Sequence, residues 1–371
     1  MSQVLIKKAS YNYAELRPII FEMIDVLAPD LITPQARVLI KPNLLMAAPP
    51  ERAVLTHPLI VKAVAEYVIE KGGKPSIADS PAAGKFAKII EIGGYQAALK
   101  DLDVKIGPFE TYVKTDIGEP FGKIEIARDA IEADVVINLA KLKTHAQMLL
   151  TLGVKNLFGC IIGLSKPEWH FRTGVDHEMF AKLLVQIYKK VNPSITLVDG
   201  ILAMEGQGPA KSGTPRHLGV IAGSHDAVAV DWAICNMLDI DPERLHTIRA
   251  ARYLGWDSLD IQVSGDSFKV TDFNLPQLGT VVFGPRLFQK WMRRHFIQKP
   301  VVEQSLCRLC GECWEYCPAK AITRREKQIE FDYDICIRCY CCIEVCPHGA
   351  LKAVKGWAGE LADRIYSKMV H

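Results

Sequence analysis

Nine of the chain's eleven cysteines fall between Cys307 and Cys346, in two copies of one spacing. The first copy is Cys307-x2-Cys310-x2-Cys313-x3-Cys317-Pro318 and the second is Cys336-x2-Cys339-x2-Cys342-x3-Cys346-Pro347. Two-residue spacers let one tight loop aim three thiolates at one centre, while the fourth, on the segment leaving the loop, serves the other centre. This is the arrangement that holds a pair of [4Fe-4S] clusters, whose chemistry is the transfer of single electrons. Cys307, Cys310, Cys313 and Cys346 are expected to hold one cluster, and Cys336, Cys339, Cys342 and Cys317 the other. Cys341 is left over and reads as a bystander squeezed between ligands rather than a redox thiol. Zinc also takes four cysteines at two-residue spacing. A zinc ribbon, however, needs neither the third cysteine, nor the Cys-Pro end, nor the duplication.

A second set of polar residues stands where strands are predicted to end. It comprises Lys41 and Asn43 in IKPN, Asp79 and Ser80 in ADSP, and Lys141, Lys143, Thr144 and His145 in KLKTH. Lys155 and Asn156 follow in VKN, then Asp199 and Glu205 in VDGILAMEG. In open α/β sheets the ligand crevice lies outside the carboxyl ends of the strands. Lys41, Asn43, Asp79, Ser80, Lys143, Thr144, His145, Lys155 and Asn156 are therefore expected to share one binding site. Five lysines at predicted loop positions (Lys41, Lys141, Lys143, Lys155 and Lys166) call for an anion, because gathered positive charge is costly without one. Lys143 is expected to hold that anion. His145 is expected to transfer protons, since a nearby lysine keeps an imidazole neutral and able to accept one. A flavin would meet the charge and convert single electrons into two-electron chemistry, although no motif names it. Neither G-x-G-x-x-G nor a Walker A loop is present. His170 and His177 lack the i, i+4 spacing of a helical metal pair, and capping at Asp176 is the better reading of that stretch.

These groups need a scaffold that brings several strand ends together. Short β-branched runs end at Ile40, Asp79, Ala140, Gly200 and Gly223, and read as buried strands. Between them the patterns from His57 to Lys71, Phe86 to Leu99, His177 to Val191 and Asp226 to Leu238 read as helices. Such alternation predicts an α/β domain with a largely parallel sheet and flanking helices. Tyr112 to Ile126 reads instead as an antiparallel insertion. Pro285 to Pro300, basic and amphipathic, reads as a connector helix packed on the cysteine-rich domain, ahead of a membrane-surface or acidic-partner patch.

IKPN, THP, ADSP, KLKTH, GVKNLFGCIIG, VDGILAMEGQGP and AGSHDAVAVD resemble the family known as domain of unknown function 362, over roughly residues 35 to 275. The cysteine-rich part is similar to the eight-iron ferredoxins over about fifty residues. The first resemblance implies the architecture and the ligand loops but no substrate; the second implies outer-sphere electron transfer. Together they divide the chain into an α/β domain at 1–284, a connector at 285–300, a small ferredoxin-like α+β domain at 301–354 and a helical tail at 355–371.

A net charge of only +3 excludes a strongly basic nucleic-acid binder. No run of 18 residues is free of charge, so no membrane span is expected. Eleven cysteines without an export signal predict a reducing, cytoplasmic setting. The expected partners are a low-potential electron donor or acceptor protein and an anionic small molecule, with a homodimer left open. The leading functional expectation is an iron-sulfur oxidoreductase that relays electrons to a flavin or other anionic molecule over the sheet. Its rivals are a partner-docking electron carrier without chemistry of its own and a cofactor-maturation factor.

Overall fold

The computed structural model describes residues 2–163, 165–173, 176–210, 212–257, 260–276 and 298–354. The expected connector 285–300, apart from its last three residues, and the expected tail 355–371 lie outside them.

Among the described residues eleven strands precede the cysteine-rich region: β1 (Ser2–Lys8), β2 (Arg37–Pro42), β3 (Lys74–Asp79), β4 (Lys105–Pro108), β5 (Tyr112–Asp116), β6 (Lys123–Ala127), β7 (Val135–His145), β8 (Leu149–Thr151), β9 (Ile195–Gly206), β10 (Gly213–Ser224) and β11 (Ile261–Gly265). Nine of them form one sheet in the order β11-β1-β10-β9-β7-β2-β3-β4, with β8 hydrogen-bonded to β7. The run β9-β7-β2-β3-β4 is parallel throughout, as the alternation of strands and helices requires. β10 is antiparallel to both its neighbours, and β5 and β6 pair separately as the antiparallel insertion expected from sequence.

Parallel strands are covered on both faces, so their residues are apolar on both sides. Along β2, Leu39 joins the core on one face while Val38 and Ile40 join the core on the other. Along β7, Val136 and Ala140 divide from Val135, Ile137 and Leu139 in the same way. The helix His177–Val191 shows how a covering element is made. Phe180, Leu183, Leu184, Ile187 and Val191 recur at helical spacing and are buried. Its start is fixed by Asp176, whose carboxylate accepts from the backbone N–H groups of Glu178 and Met179.

β9 does not end at Gly200 as expected but runs on to Gly206 against β10, and two further expectations need correction. The helical stretch from Phe86 to Leu99 is broken into Phe86–Ile92 and Tyr95–Leu99, because Gly94 adopts φ +77° between them. β7 does not stop at Ala140. It continues to His145 because β8 folds back and pairs with Lys143, Thr144 and His145.

The cysteine-rich region is built from two matching halves. β12 (Lys299–Val302) pairs with β15 (Leu351–Val354), and β13 (Ile322–Arg324) pairs with β14 (Ile329–Phe331), both antiparallel. Two short helices, Glu312–Glu315 and Cys341–Val345, complete it.

Candidate functional site

The eight motif cysteines gather as two quartets. Cys307, Cys310, Cys313 and Cys346 line one cavity, and Cys317, Cys336, Cys339 and Cys342 line another, so each half of the motif lends its fourth cysteine to the other half. The lending segments are fixed identically. Ala321 N–H donates to Cys317 Sγ and Ala350 N–H to Cys346 Sγ, each at 3.3 Å. Four thiols around a space suit a cubane, in which each iron takes one sulfur. Among the described residues no three His, Cys, Asp or Glu side chains converge as ligands of a lone metal ion. None of the eleven cysteines is in a disulfide.

A separate, narrow cleft lies where the cysteine-rich domain meets the parallel strand ends. Asn43, Asp79 and Ser80 reach it from the ends of β2 and β3, and Lys143 and His145 from the end of β7. Lys155 and Asn156 reach it from the turn of helix after β8. Seven of the nine residues expected to form one site therefore share one wall. The exceptions are Lys41 and Thr144. Lys41 is fully buried behind the cleft and pairs with Asp79 Oδ1 at 2.9 Å. Thr144 points to the opposite side of β7, where its hydroxyl accepts from Gly208 N–H. The alternation of a strand explains the split, since residues 143 and 145 share a face that 144 cannot.

The five lysines do not all occupy loops, nor do they all lack an anion. Lys41 lies in β2 and Lys141 and Lys143 in β7, while Lys155 and Lys166 lie in short helices. Lys141 pairs with Asp199 at 2.7 Å, away from the cleft, in a network with the Tyr11 hydroxyl. Asp79 and Asp199 are thus buried counter-ions. Asp79 also accepts from Leu44 N–H and so pins the loop after β2. Gly159 packs against this pair so closely that a Cβ there would run into both the Asp79 carboxylate and the Lys41 ammonium. Glu205 pairs with Arg216 and takes no part in the cleft.

Lys143, Lys155 and Lys166 remain to face the cleft. Lys143 donates to Asn43 Oδ1 at 2.8 Å and to the Val54 carbonyl at 2.7 Å, and Asn43 in turn donates to Asn156. Lys166 donates to the carbonyl of Ser80. Among the described residues Lys155 has no hydrogen-bond or ion-pair partner. Burial, reinforced by the charge of Lys155, holds Lys143 well below the usual lysine range. Burial also lowers Lys155, and it brings Lys166 down to about 8. An ammonium with a lowered pKa regains its charge when an anion arrives, so these shifts suit a site that waits for one.

The cysteine-rich domain supplies the remaining wall. Glu344, on the helix between Cys342 and Cys346, comes within 2.6 Å of His145 Nε2. Neither atom has a hydrogen bond of good geometry despite that distance. His145 Nδ1 accepts from the backbone N–H groups of Gln147 and Met148, which assigns its proton to Nε2, facing Glu344. Burial, then Lys155, push His145 down to about 4. It is neutral near pH 7, and in this arrangement its Nε2–H is a hydrogen-bond donor towards the cleft. Burial alone would raise Glu344, but His145 and Lys155 outweigh it and keep the carboxylate ionised.

Glu344, Cys341, His170 and Thr151 are among the cleft residues absent from the set expected by sequence. His170 packs against Phe158 and Phe180, and burial pushes it down to about 3. The signal for Glu344 was present as a single charge inside the otherwise apolar run CCIEVC.

The model of the family described as domain of unknown function (DUF362) matches residues 38–236, more than half of the chain. The chain belongs to that family. A 4Fe-4S dicluster domain matches residues 306–350, so both resemblances read from the sequence hold. A thylakoid-associated protein of Synechocystis is 37% identical over 303 residues, covering 79% of this chain and 94% of its own. Over the cluster domain the chain is similar to the delta subunit of NADH-dependent phenylglyoxylate dehydrogenase from Aromatoleum evansii, at 30% identity across 20% of this chain and 85% of that subunit. It is likewise 35% identical to a pyruvate synthase subunit of Thermotoga maritima, across 15% of this chain and 58% of that one. Among solved structures, the lactate racemase apoprotein of Thermoanaerobacterium thermosaccharolyticum aligns with TM-score 0.40 and 14% identity, over 62% of this chain and 56% of that one. Iron-sulfur electron transfer is accordingly the work of the C-terminal domain of this DUF362 member. No helix among the described residues is long and apolar enough to cross a membrane.

Proposed function

We propose that this chain is an oxidoreductase in which the cluster domain exchanges electrons with an anionic organic molecule held in the interdomain cleft. In this reading Cys307, Cys310, Cys313 and Cys346 hold one [4Fe-4S] cluster and Cys317, Cys336, Cys339 and Cys342 the other, together supplying single-electron transfer. The remaining tasks fall to side chains of the cleft. Lys143, Lys155 and Lys166 bind the anion, Asn43 and Asn156 orient Lys143, and closure of the cluster domain excludes water. His145 donates a hydrogen bond from Nε2–H to the guest, held in place by the two backbone N–H groups on Nδ1. A bound anion raises the proton affinity of this imidazole, offsetting Lys155.

One observation carries the reading. Glu344 lies between two cysteines of the cluster motif and also forms the wall of the ligand cleft opposite His145. A molecule bound against the lysines is therefore separated from the cysteine quartets by a single short helix.

Flavin mononucleotide has the required charge, and the three cleft lysines are what supports it. The likeness of the cluster domain to subunits of larger redox enzymes supports a second reading, in which a partner protein donates or accepts the electrons and this chain serves as its carrier. We place the protein in the cytoplasm because none of its eleven cysteines is in a disulfide; fractionation of cells tests that placement.

The functional test starts from anaerobically purified protein, analysed for iron, sulfide and extractable organic molecules. Lys155→Ala is expected to lose the bound molecule and His145→Gln to slow reoxidation of reduced protein by candidate acceptors, both with unchanged iron. Undiminished binding and turnover in both variants would move the site elsewhere. Reoxidation that occurs only with a partner protein present would favour the carrier reading.

A further inference from the structure

Two side chains of the interdomain cleft have no task in holding a charge. Thr151 ends β8 and His170 lies on the helix Ser165–Thr173, and both line the cleft. They are only 3% and 4% exposed, and each carries a buried polar atom, Thr151 Oγ1 and His170 Nδ1, that meets no hydrogen-bond partner among the described residues. A buried hydroxyl or ring nitrogen left in that state costs stability, so folds seldom keep one without a use for it.

The surrounding structure commits both side chains to the cleft. Thr151 stands directly opposite Lys143 where β8 pairs with β7, and residues opposed in an antiparallel pair present their side chains on one face. Thr151 therefore shares the face from which Lys143 and His145 reach the cleft. The His170 ring is packed edge-on to Phe158 at 5.4 Å and tilted against Phe180 at 4.4 Å between centroids. Packing against two phenylalanines would be served as well by a third apolar ring, without the cost of desolvating a nitrogen. Burial keeps this imidazole uncharged, so one ring nitrogen donates and the other accepts. The threonine hydroxyl likewise donates and accepts without charge. The lysines answer the charge of the guest; these two atoms suit something uncharged.

We propose that Thr151 and His170 form a specificity subsite for an uncharged polar group, a hydroxyl or a carbonyl, on the anionic guest. The inference rests on the anion-binding reading of the cleft and narrows its ligand to an organic anion that bears a second, neutral hydrogen-bonding group. Because Thr151 is the cross-strand neighbour of Lys143, with Cβ atoms about 5 Å apart, the neutral group lies within a few bonds of the charged one.

The test is equilibrium dialysis on the intact, cluster-loaded protein under anaerobic conditions. Terminally hydroxylated ethyl and propyl phosphate are compared with ethyl and propyl phosphate, which lack only the hydroxyl, and with inorganic phosphate. At least one hydroxylated ester is expected to bind roughly tenfold more tightly than its parent, the upper end of what one neutral hydrogen bond is worth. Thr151→Val and His170→Phe should each cut that preference severalfold while inorganic phosphate binds as before, and Thr151→Ser should keep it. Stability separates this role from a structural one. Thr151→Val removes an unmatched hydroxyl, so the ligand-free protein should unfold at a higher urea concentration; a lower midpoint would show that the hydroxyl serves the fold and would overturn its role in binding. The inference is equally overturned if neither hydroxylated ester is preferred, or if the preference survives in both variants. Phosphate bound without any preference among the esters removes the subsite and leaves the anion cleft standing, whereas no phosphate or ester bound removes both.

Discussion

Lys41 and Lys155 lie within one neighbourhood and do opposite work. Lys41 is wholly buried and matched to Asp79, so its removal strands a buried carboxylate. Breaking such a pair costs about 3–5 kcal/mol. Lys41→Ala and Lys141→Ala are therefore expected to lower the unfolding free energy by about that much in urea titrations, by the same mechanism. Lys155 has no hydrogen-bonded partner, and Lys155→Ala should cost far less stability while abolishing phosphate binding. Equal destabilisation by all three variants would mean that the lysines have been wrongly divided. The histidines set the response to acid. His145 falls from 6.5 to about 4 and His57 does likewise, both chiefly through burial. The unfolded chain takes up protons that the folded chain refuses, so the stability these imidazoles confer is complete above pH 6.5 and is lost as pH falls towards 4. Denaturation midpoints measured across that window should decline, and His145→Gln should remove part of the slope. A slope unchanged by that substitution would show that His145 is not held neutral by the fold.

At the scale of elements, the site depends on β7 running past its expected end. Pairing with β8 keeps Lys143 and His145 extended, so both face the cleft while Thr144 turns away. Three sulfurs of each quartet were legible in the sequence because their geometry is local, and the fourth, lent by the other copy of the motif, was legible from the duplicated two-cluster pattern. The strands beneath the site were legible for a similar reason, as short apolar runs with turn residues at each end. The ion pairs of Lys41 and Lys141 were not, because each joins residues on different strands and nothing in either segment names the other. Strand alternation could have removed Thr144 from the expected set, had KLKTH been read as strand and not as loop. The helix Cys341–Val345 was hidden for another reason, since its role arises only when the two domains meet. Its one charge gives a further prediction. Glu344→Gln removes the only carboxylate of the cleft that lacks a lysine partner of its own, so phosphate should bind several-fold more tightly to that variant. Weaker binding in Glu344→Gln would mean that Glu344 orients the ligand instead of opposing it.

For the whole molecule, the account joins an α/β domain that gathers cations to a cluster domain that closes over them. Two quartets require about eight iron and about eight sulfide per chain. Cys339→Ala should lose one cluster, while Cys341→Ala should keep the full iron content; equal losses would place Cys341 among the ligands. The claim that the two domains share one site is the central one, and it is tested most directly by phosphorus-31 electron-nuclear double resonance on the reduced, cluster-loaded protein with phosphate bound. A phosphorus coupling to the reduced cluster spin, lost in Lys155→Ala, is the predicted result. Bound phosphate with no coupling would place the anion away from the cluster domain and contradict the account.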